Sequence, residues 1–416
     1  MRTSWFIASA LPTGWQSLPL KRLGRVLNGG TPTSEPDNWD GPFPFVTPPD
    51  LNGADGALVS TTGRTLSKAG THGAGVAPAG SVLVSTRAPI GHVGRIGVLS
   101  AFNQGCRALA PRENVESRFV AAALVAARAE LMSRGQGTTF LELSSPAFAS
   151  VPVPLPPLDE QRAIADYLDH ETAQIDALVA KQEEFIGLLR ERRVAEITSV
   201  VEEREPNSSF RRHVTNIRQG WSPNAEPFPA DGVTEWGILK VGCSTAGVFR
   251  PEENKKLPPD VEARPELVVR RGEIVMSRSN TRDLVGSAAV VLGEFPRLML
   301  SDLNYGLTTA ATLDPEFAVY ALMTRRARAE LASRAKGTSP SMQKLAQRDV
   351  LDIPLWVPGI DEQRAIVGLV KAQMTRIDAL IAKAEKHIAL AKERRSALIT
   401  AAVTGQIDVR TARKAS

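Results

Sequence analysis

The sequence is short of the residues that build stapled or metal-dependent proteins. Cysteine occurs only twice, at Cys106 and Cys243, and histidine five times. Two thiols cannot make a disulfide framework or a cysteine-rich zinc site, so both are read as small buried apolar residues. The histidines, His72, His92, His170, His213 and His387, are scattered, and none falls in a HExxH-like ligand spacing. No Walker A loop is present, which excludes a P-loop motor. An Asn-Pro-Pro-Tyr-like adenine methyltransferase motif is missing, and so is a glycine-rich nucleotide loop set between a strand and a helix. Long apolar runs are lacking too. The longest, residues 119–127, falls far short of the ~20 residues that span a bilayer. The first fifteen residues hold one Arg and a broken apolar stretch, with no cleavage-like ending, so no signal peptide is read. The expectation is a soluble, cytoplasmic protein with no membrane partner, no catalytic residues, no metal and no cofactor. A large charge imbalance is also absent. Fifty basic and 45 acidic residues leave a net charge of +5, which excludes a polycationic tail and permits nucleic-acid binding without announcing it.

What is present is a duplication. Asp159-Glu160-Gln161-Arg162-Ala163-Ile164 recurs as Asp361-Glu362-Gln363-Arg364-Ala365-Ile366, an offset of 202. Ile175-Asp176-Ala177-Leu178 and Glu191-Arg192-Arg193 recur at the same offset as Ile377-Asp378-Ala379-Leu380 and Glu393-Arg394-Arg395. Upstream, residues 127–138 (ARAELMSRGQGT) recur at 327–338 (ARAELASRAKGT), offset by 200. A period this long is a duplicated domain, not a solenoid. With 416 residues, the chain divides into two halves, each a variable region followed by a similar segment.

The similar segments read as long helices. Each follows a proline-rich stretch, and no Pro interrupts 159–205 or occurs after 361. Asp159, Glu160, Asp361 and Glu362 suit a helix N-terminus. Apolar residues at Ile164, Leu168, Ile175, Leu178, Phe185 and Leu189, and at Ile366, Val370, Ile377 and Leu380, step by threes and fours as in a coiled-coil seam. About 40 helical residues would reach ~60 Å, too long for the core of a small domain. Charge divides unevenly. Residues 1–150 carry +4, 151–205 carry −7, 206–352 carry +3 and 353–416 carry +5. Two similar helices of opposite charge are expected to pair within the chain.

The variable regions read as α/β. Short strand-like runs bounded by Gly and Pro, including residues 80–85 and 272–277, lie among many turns. The lack of βαβ regularity argues against a Rossmann sheet. Ala- and Arg-rich helices are expected over 119–134 and 317–336. They end at Gly135 or Gly137 in the first half and at Gly337 in the second.

At this point the residues resemble a known family. Pro-Leu-Pro-Pro-Leu-Asp-Glu-Gln-Arg-Ala-Ile, a long helix reaching Glu-Arg-Arg, its second copy, and the terminal Ala402-Val403-Thr404-Gly405-Gln406-Ile407 are similar to the conserved segments of type I restriction–modification specificity (S) subunits. The first variable region resembles the family's target recognition domain through Leu23-Gly24, Gly29-Gly30-Thr31-Pro32, Phe45-Val46-Thr47-Pro48, residues 80–85, Ile90-Gly91 and Asn103-Gln104-Gly105. The second does so through Gly220-Trp221-Ser222-Pro223, residues 272–278, Leu284-Val285-Gly286 and Gly337-Thr338-Ser339.

The resemblance implies an α/β (α+β) chain with an internal pseudo-twofold repeat. Target recognition domains would occupy 1–150 and 206–352. A central spacer helix at 151–205 and a distal helix with its tail at 353–416 would form an antiparallel coiled coil. It implies a non-catalytic DNA-specificity subunit. Each recognition domain would read one half of a split, asymmetric sequence in double-stranded DNA, with two methyltransferase (M) subunits docked and restriction (R) subunits able to join. Methylation and ATP-driven translocation would belong to those partners.

Within that expectation, the DNA-contact candidates are polar and Arg-rich loops. Arg278, Asn280 and Arg282 follow a strand, and Arg and Asn match guanine and adenine edges. Arg87 stands in the corresponding stretch of the first half, and Arg64, Lys68 and His72 lie in a Gly-rich loop there. Lys255, Lys256, Arg270 and Arg271 suit phosphates, which position without specifying sequence. Lys336 and Lys344 flank Gly337-Thr338-Ser339. Two other readings stand beside this one: an S-like scaffold that assembles partners without reading DNA, and a self-sufficient nuclease, against which the missing metal and nucleotide motifs argue.

Overall fold

The computed structural model describes residues 5–87, 89–136, 141–201, 204–337, 339 and 342–412. Gly137 and Thr338, named above, lie outside these. The chain forms two units, Met1–Gln182 with Lys386–Ser416, and Glu183–Glu385. The division passes through both long helices, Leu158–Val201 and Ile360–Val403, so each unit owns part of each.

In the first unit an antiparallel sheet runs in the order Gly24–Asn28, Cys106–Pro111, Val82–Ser85, Val93–Arg95. A second sheet orders Thr65–Leu66, Trp39–Val46, Ser100–Phe102 and Gly75–Ala77, with one parallel pair between Trp39–Val46 and Ser100–Phe102. The strand Gln16–Pro19 pairs with Pro152–Leu155, closing the variable region just before the long helix. The second unit repeats the plan. Val214–Gln219, Asn304–Thr309, Ile274–Ser277 and Ala288–Val290 form the antiparallel sheet. Gly237–Leu239 pairs parallel with Leu298–Met299, and Ser208–Ser209 closes on Pro354–Leu355. The central strands Val82–Ser85 and Ile274–Ser277 are buried along their whole length. Each is entered through a glycine at φ +82°, Gly80 and Gly272, a conformation that a side chain would strain. Both cysteines are buried, and burial pushes each thiol up to about 12, so neither is a reactive thiolate at neutral pH.

Each variable region ends in two short helices where the sequence reads as one. They are Ser117–Ala126 with Arg128–Ser133, and Pro315–Met323 with Arg325–Arg334. In the second unit the break has a visible cause. Thr324 leaves the helical region (ψ 150°), donates its hydroxyl to Ala321 O and accepts from Ala327 N, capping the next helix. The second helix then ends against Ala335, not at Gly337.

The shared Asp-Glu-Gln-Arg motif has one buried member. Gln161 is 1% exposed and Gln363 is fully buried, whereas Asp159 and Asp361 are bare and only weakly approached by Arg162 and Arg364. The Gln161 carboxamide oxygen accepts from Glu116 N at 2.8 Å, and its nitrogen donates to Pro156 O at 2.8 Å and Asn114 O at 3.4 Å. Gln363 repeats this with Asp314 N at 2.8 Å, Pro358 O at 2.8 Å and Thr312 O at 3.0 Å. Glu116 and Asp314 are the N-caps of the helices Ser117–Ala126 and Pro315–Met323. One buried amide therefore ties the start of each long helix to its variable region. An amide in that position needs every bond, because an unmet buried donor or acceptor costs about 1–3 kcal/mol.

The two long helices run antiparallel where they meet inside each unit. In the first, Ile175 and Val179 pack with Ala391 and Ile388, and Asp176 binds Arg395 at 2.9 Å. In the second, Ile197 and Val201 pack with Ile366, Val370 and Ile377, while Arg193 binds Asp378 at 3.1 Å and Arg190 approaches Glu385 at 3.8 Å. The two Asp–Arg pairs join the repeated motifs. The Asp of Ile-Asp-Ala-Leu in one helix meets the second Arg of Glu-Arg-Arg in the other, once in each unit. A fully buried Ile or Val contributes about 1.5–3 kcal/mol and a part-exposed ion pair about 0.2–1 kcal/mol, so the apolar seam holds the helices and the ions fix their register.

The seam departs from the expected stepping. Ile164, Leu168, Ile175, Leu189, Ile366, Val370 and Ile377 are buried, but Leu178 (48%), Phe185 (41%) and Leu380 (39%) are exposed. After Ile175 the buried face advances by four to Val179 and by seven to Ile186, which turns Leu178 and Phe185 outward. The helix Ile360–Val403 stops where Gly405 takes φ +73° and Gln406 N reaches back to Ala401 O at 2.8 Å, closing a glycine cap.

Candidate nucleic-acid interface

Several candidates meet at one small ladder in the second unit. The buried strand Ile274–Ser277 leads through Arg278 into Ser279–Asn280, which pairs antiparallel with Gln343–Lys344. Lys336 joins the far side of Lys344 through backbone bonds of 2.9 and 2.8 Å. Lys336, Lys344 and Arg282 are exposed and Asn280 is half-buried. Asn280 spends its carbonyl oxygen on Thr281 N at 2.8 Å. Its amide nitrogen carries the donor chemistry suited to an adenine edge.

Arg278 is turned inward. Its Nε donates to Tyr305 Oη at 3.1 Å and its Nη1 to Asp302 O at 3.1 Å, while Tyr305 donates on to Leu345 O at 2.9 Å. The guanidinium thus holds the ladder's base, with Leu345 N bonded to Arg278 O at 3.0 Å. Gln343 was not signalled by the sequence. It donates to Gly337 O at 3.3 Å and Ser339 O at 2.8 Å and so shapes the loop between the lysines.

The first unit builds the same ladder with different charge. Leu143 N bonds Thr86 O as Leu345 N bonds Arg278 O, and Gln136 and Arg87 both bridge to Glu142. Arg87 is exposed, with Nε 3.3 Å from Glu142 Oε2, and Arg107 approaches the other carboxylate oxygen at 3.5 Å. Glu142 thus stands where the second unit has Lys344. No pattern in the sequence marks Glu142 or Arg107, because their pairing depends on strands distant along the chain.

The remaining candidates stand on other elements. Arg64 lies over Trp39, with its Cζ 3.3 Å from the ring centroid, a cation–π contact. Lys68 and His72 are exposed on the turn beyond, with His72 Nδ1 3.2 Å from Ala69 O. Lys255 is exposed on the strand Asn254–Lys256, while Lys256 is bound to Glu235 at 2.6 Å, which raises its pKa. Arg270 and Arg271 are exposed on the turn into Ile274–Ser277. Beneath that turn Glu273, 1% exposed, is locked to Arg218 at 2.6 Å. Among the described residues no group of three or more His, Cys, Asp or Glu side chains is arranged to hold a metal ion, and no helix is long and apolar enough to cross a membrane.

The family model for the type I restriction modification DNA specificity domain matches residues 12–185. The type I restriction enzyme MjaIX specificity subunit of Methanocaldococcus jannaschii is 29% identical over 168 residues, 38% of this chain and 38% of that protein. The EcoKI specificity subunit of Escherichia coli K12 is 22% identical over 329 residues, 74% of this chain and 69% of that one. In fold, the chain is similar to a solved chain described under complex assembly and conformational transition of the type I R-M system. The TM-score is 0.66 at 17% identity, over 95% of this chain and 99% of the other. The first part of the chain is thus similar to type I restriction–modification specificity subunits, and the chain spans 38% of the length of the MjaIX subunit that it matches. The family model covers the first variable region and the start of its long helix. The second unit lies almost wholly beyond the match, yet repeats the strand order, the buried glutamine and the Asp–Arg pair of the first.

Proposed function

We propose that this chain is the DNA-reading, non-catalytic subunit of a type I restriction–modification complex in the cytoplasm. Each unit reads one half of a bipartite, asymmetric target in double-stranded DNA. The paired helices set the gap between half-sites and, with the domain edges, dock two M subunits, to which R subunits can be added. The observation that carries this reading is one scaffold built twice around two different variable regions, with the same glutamine and Asp–Arg anchors. A repeated scaffold presents two similar surfaces. Surfaces that differ in sequence, such as Lys344 against Glu142, read different half-sites, so the target has two parts without palindromy.

In the second unit, Asn280, Arg282, Lys336 and Lys344 face the duplex, with Arg278 holding their loop. Lys255, Lys256, Arg270 and Arg271 lie along phosphates. In the first unit Arg87, on the matching ladder, faces the duplex, as do Arg64, Lys68 and His72 on their separate turn. The test is competition binding by the chain assembled with its M subunits. A specific site should bind about 10³-fold or more tighter than random duplex at fixed salt. Equal binding to every duplex would refute the reading. If Asn280→Ala, Arg282→Ala and Lys344→Ala together left that preference intact, the chain would be a scaffold instead.

A further inference from the structure

Two long helices with the same anchors stand in one chain, and each variable region must settle on its own. The shared anchors cannot make that choice. Gln161 and Gln363 make the same bonds, and Asp176–Arg395 has the same chemistry as Arg193–Asp378. One contact between variable region and helix is reversed. In the first unit Arg118, two residues past the N-cap Glu116, binds Asp166 at 2.8 Å and Asp169 at 3.0 Å on the long helix. In the second, Glu316, two residues past the N-cap Asp314, binds Lys371 at 2.5 Å. Asp169 and Lys371 are equivalent under the 202-residue offset, and Gly368 stands where the first helix has Asp166.

We infer that this reversed ion pair is an electrostatic key by which each variable region selects its own helix. On the wrong helix, Glu316 would face Asp166 and Asp169, and Arg118 would face Lys371. Both mismatches set like charges a few ångströms apart at a partly sheltered contact, where Arg118 and Glu316 are only 29% and 22% exposed. The helix stretches that carry the two contacts differ in the same sense, since residues 159–182 carry −4 and residues 361–385 carry no net charge. The selecting contact is thus a pair of aspartates for one domain and a single lysine for the other. The inference goes beyond DNA reading and stands or falls without it.

The test is a pair of charge-reversal cycles in the full chain, read by thermal unfolding without DNA. Lys371→Glu, and Asp166→Lys with Asp169→Lys, should each lower the midpoint by about 2–4 °C. Adding Glu316→Lys to the first, or Arg118→Glu to the second, should recover at least half of the loss. The mismatched combination Lys371→Glu with Arg118→Glu should recover nothing. If a reversal yields no folded protein, the neutral variants Lys371→Gln and Glu316→Gln run the same cycle. Losses that simply add in the matched combinations, or recovery by the mismatched one, would overturn the inference.

Discussion

Replacing Gln161 with Ala tests the most economical claim about the fold, that one buried amide seats each variable region on its helix. The side chain is 1% exposed and accepts from Glu116 N while donating to Pro156 O and, less closely, to Asn114 O. Truncation leaves one backbone N–H and at least one carbonyl without partners. At about 1–3 kcal/mol for each unmet buried group, less what an entering water restores, the loss is about 3 kcal/mol. For a unit of this size, about 2–4 °C per kcal/mol turns that into a fall of about 6–12 °C in the midpoint of the first unit. Scanning calorimetry on the full chain reads it. Gln363→Ala should cost the second unit a similar amount, since its three bonds are 2.8–3.0 Å long. The two losses should add in the double variant, because the sites share no partner. Gln161→Glu should fall as far as Ala at neutral pH, since a carboxylate cannot donate to Pro156 O. Shifts below about 1 °C for both alanine variants would refute the reasoning.

Asp176→Asn and Asp378→Asn should each cost only about 0.2–1 kcal/mol, because the carboxylates are half exposed, and the loss should shrink in high salt, as salt titration of the unfolding midpoint will show. Arg278→Ala should weaken the fold of its ladder by about 1–2 kcal/mol as well as DNA binding, whereas Asn280→Ala should leave the unfolding midpoint unchanged and relax preference at one base pair by about 1–3 kcal/mol, which binding to a panel of single-base variants separates. His213, held between Ser208 and Thr312, is kept below its ordinary pKa of 6.5 by burial and then by Arg212. The unfolded ring therefore takes up its proton first. Stability should be full above pH 6.5 and fall as the pH drops below it, and His213→Gln should flatten that slope in midpoints measured from pH 7 to 5.

The duplication was plain in the sequence because identity at a fixed offset needs no knowledge of packing. Which motif residues matter was less plain. Asp-Glu-Gln-Arg reads as a charged helix start, yet its aspartates are bare and its one neutral member is buried. A glutamine's role depends on carbonyls brought to it from Asn114 and Thr312, which no local pattern reports. The helical seam was legible in part. Ile164, Leu168 and Ile175 follow the stepping, but beyond Ile175 the straight helix drifts from a seven-residue repeat, and Leu178, Phe185 and Leu380 turn outward. The break at Thr324 has no mark in the sequence because alanine-rich flanks favour a continuous helix, and only the hydroxyl's bonds to Ala321 and Ala327 show the chain stopping and restarting. At the ladder, Arg278 and Asn280 look alike as polar loop residues. The fold separates them by giving Arg278 internal partners in Asp302 and Tyr305.

The most direct test of the two-part reading is a map of methylated bases in the host genome, with the native chain and with residues 206–352 exchanged for another recognition domain. The native chain should yield one asymmetric motif in two separated parts, and the exchange should rewrite one part while leaving the other part and the gap unchanged. A single uninterrupted motif, a change in both parts, or a map that does not respond to the exchange would contradict it.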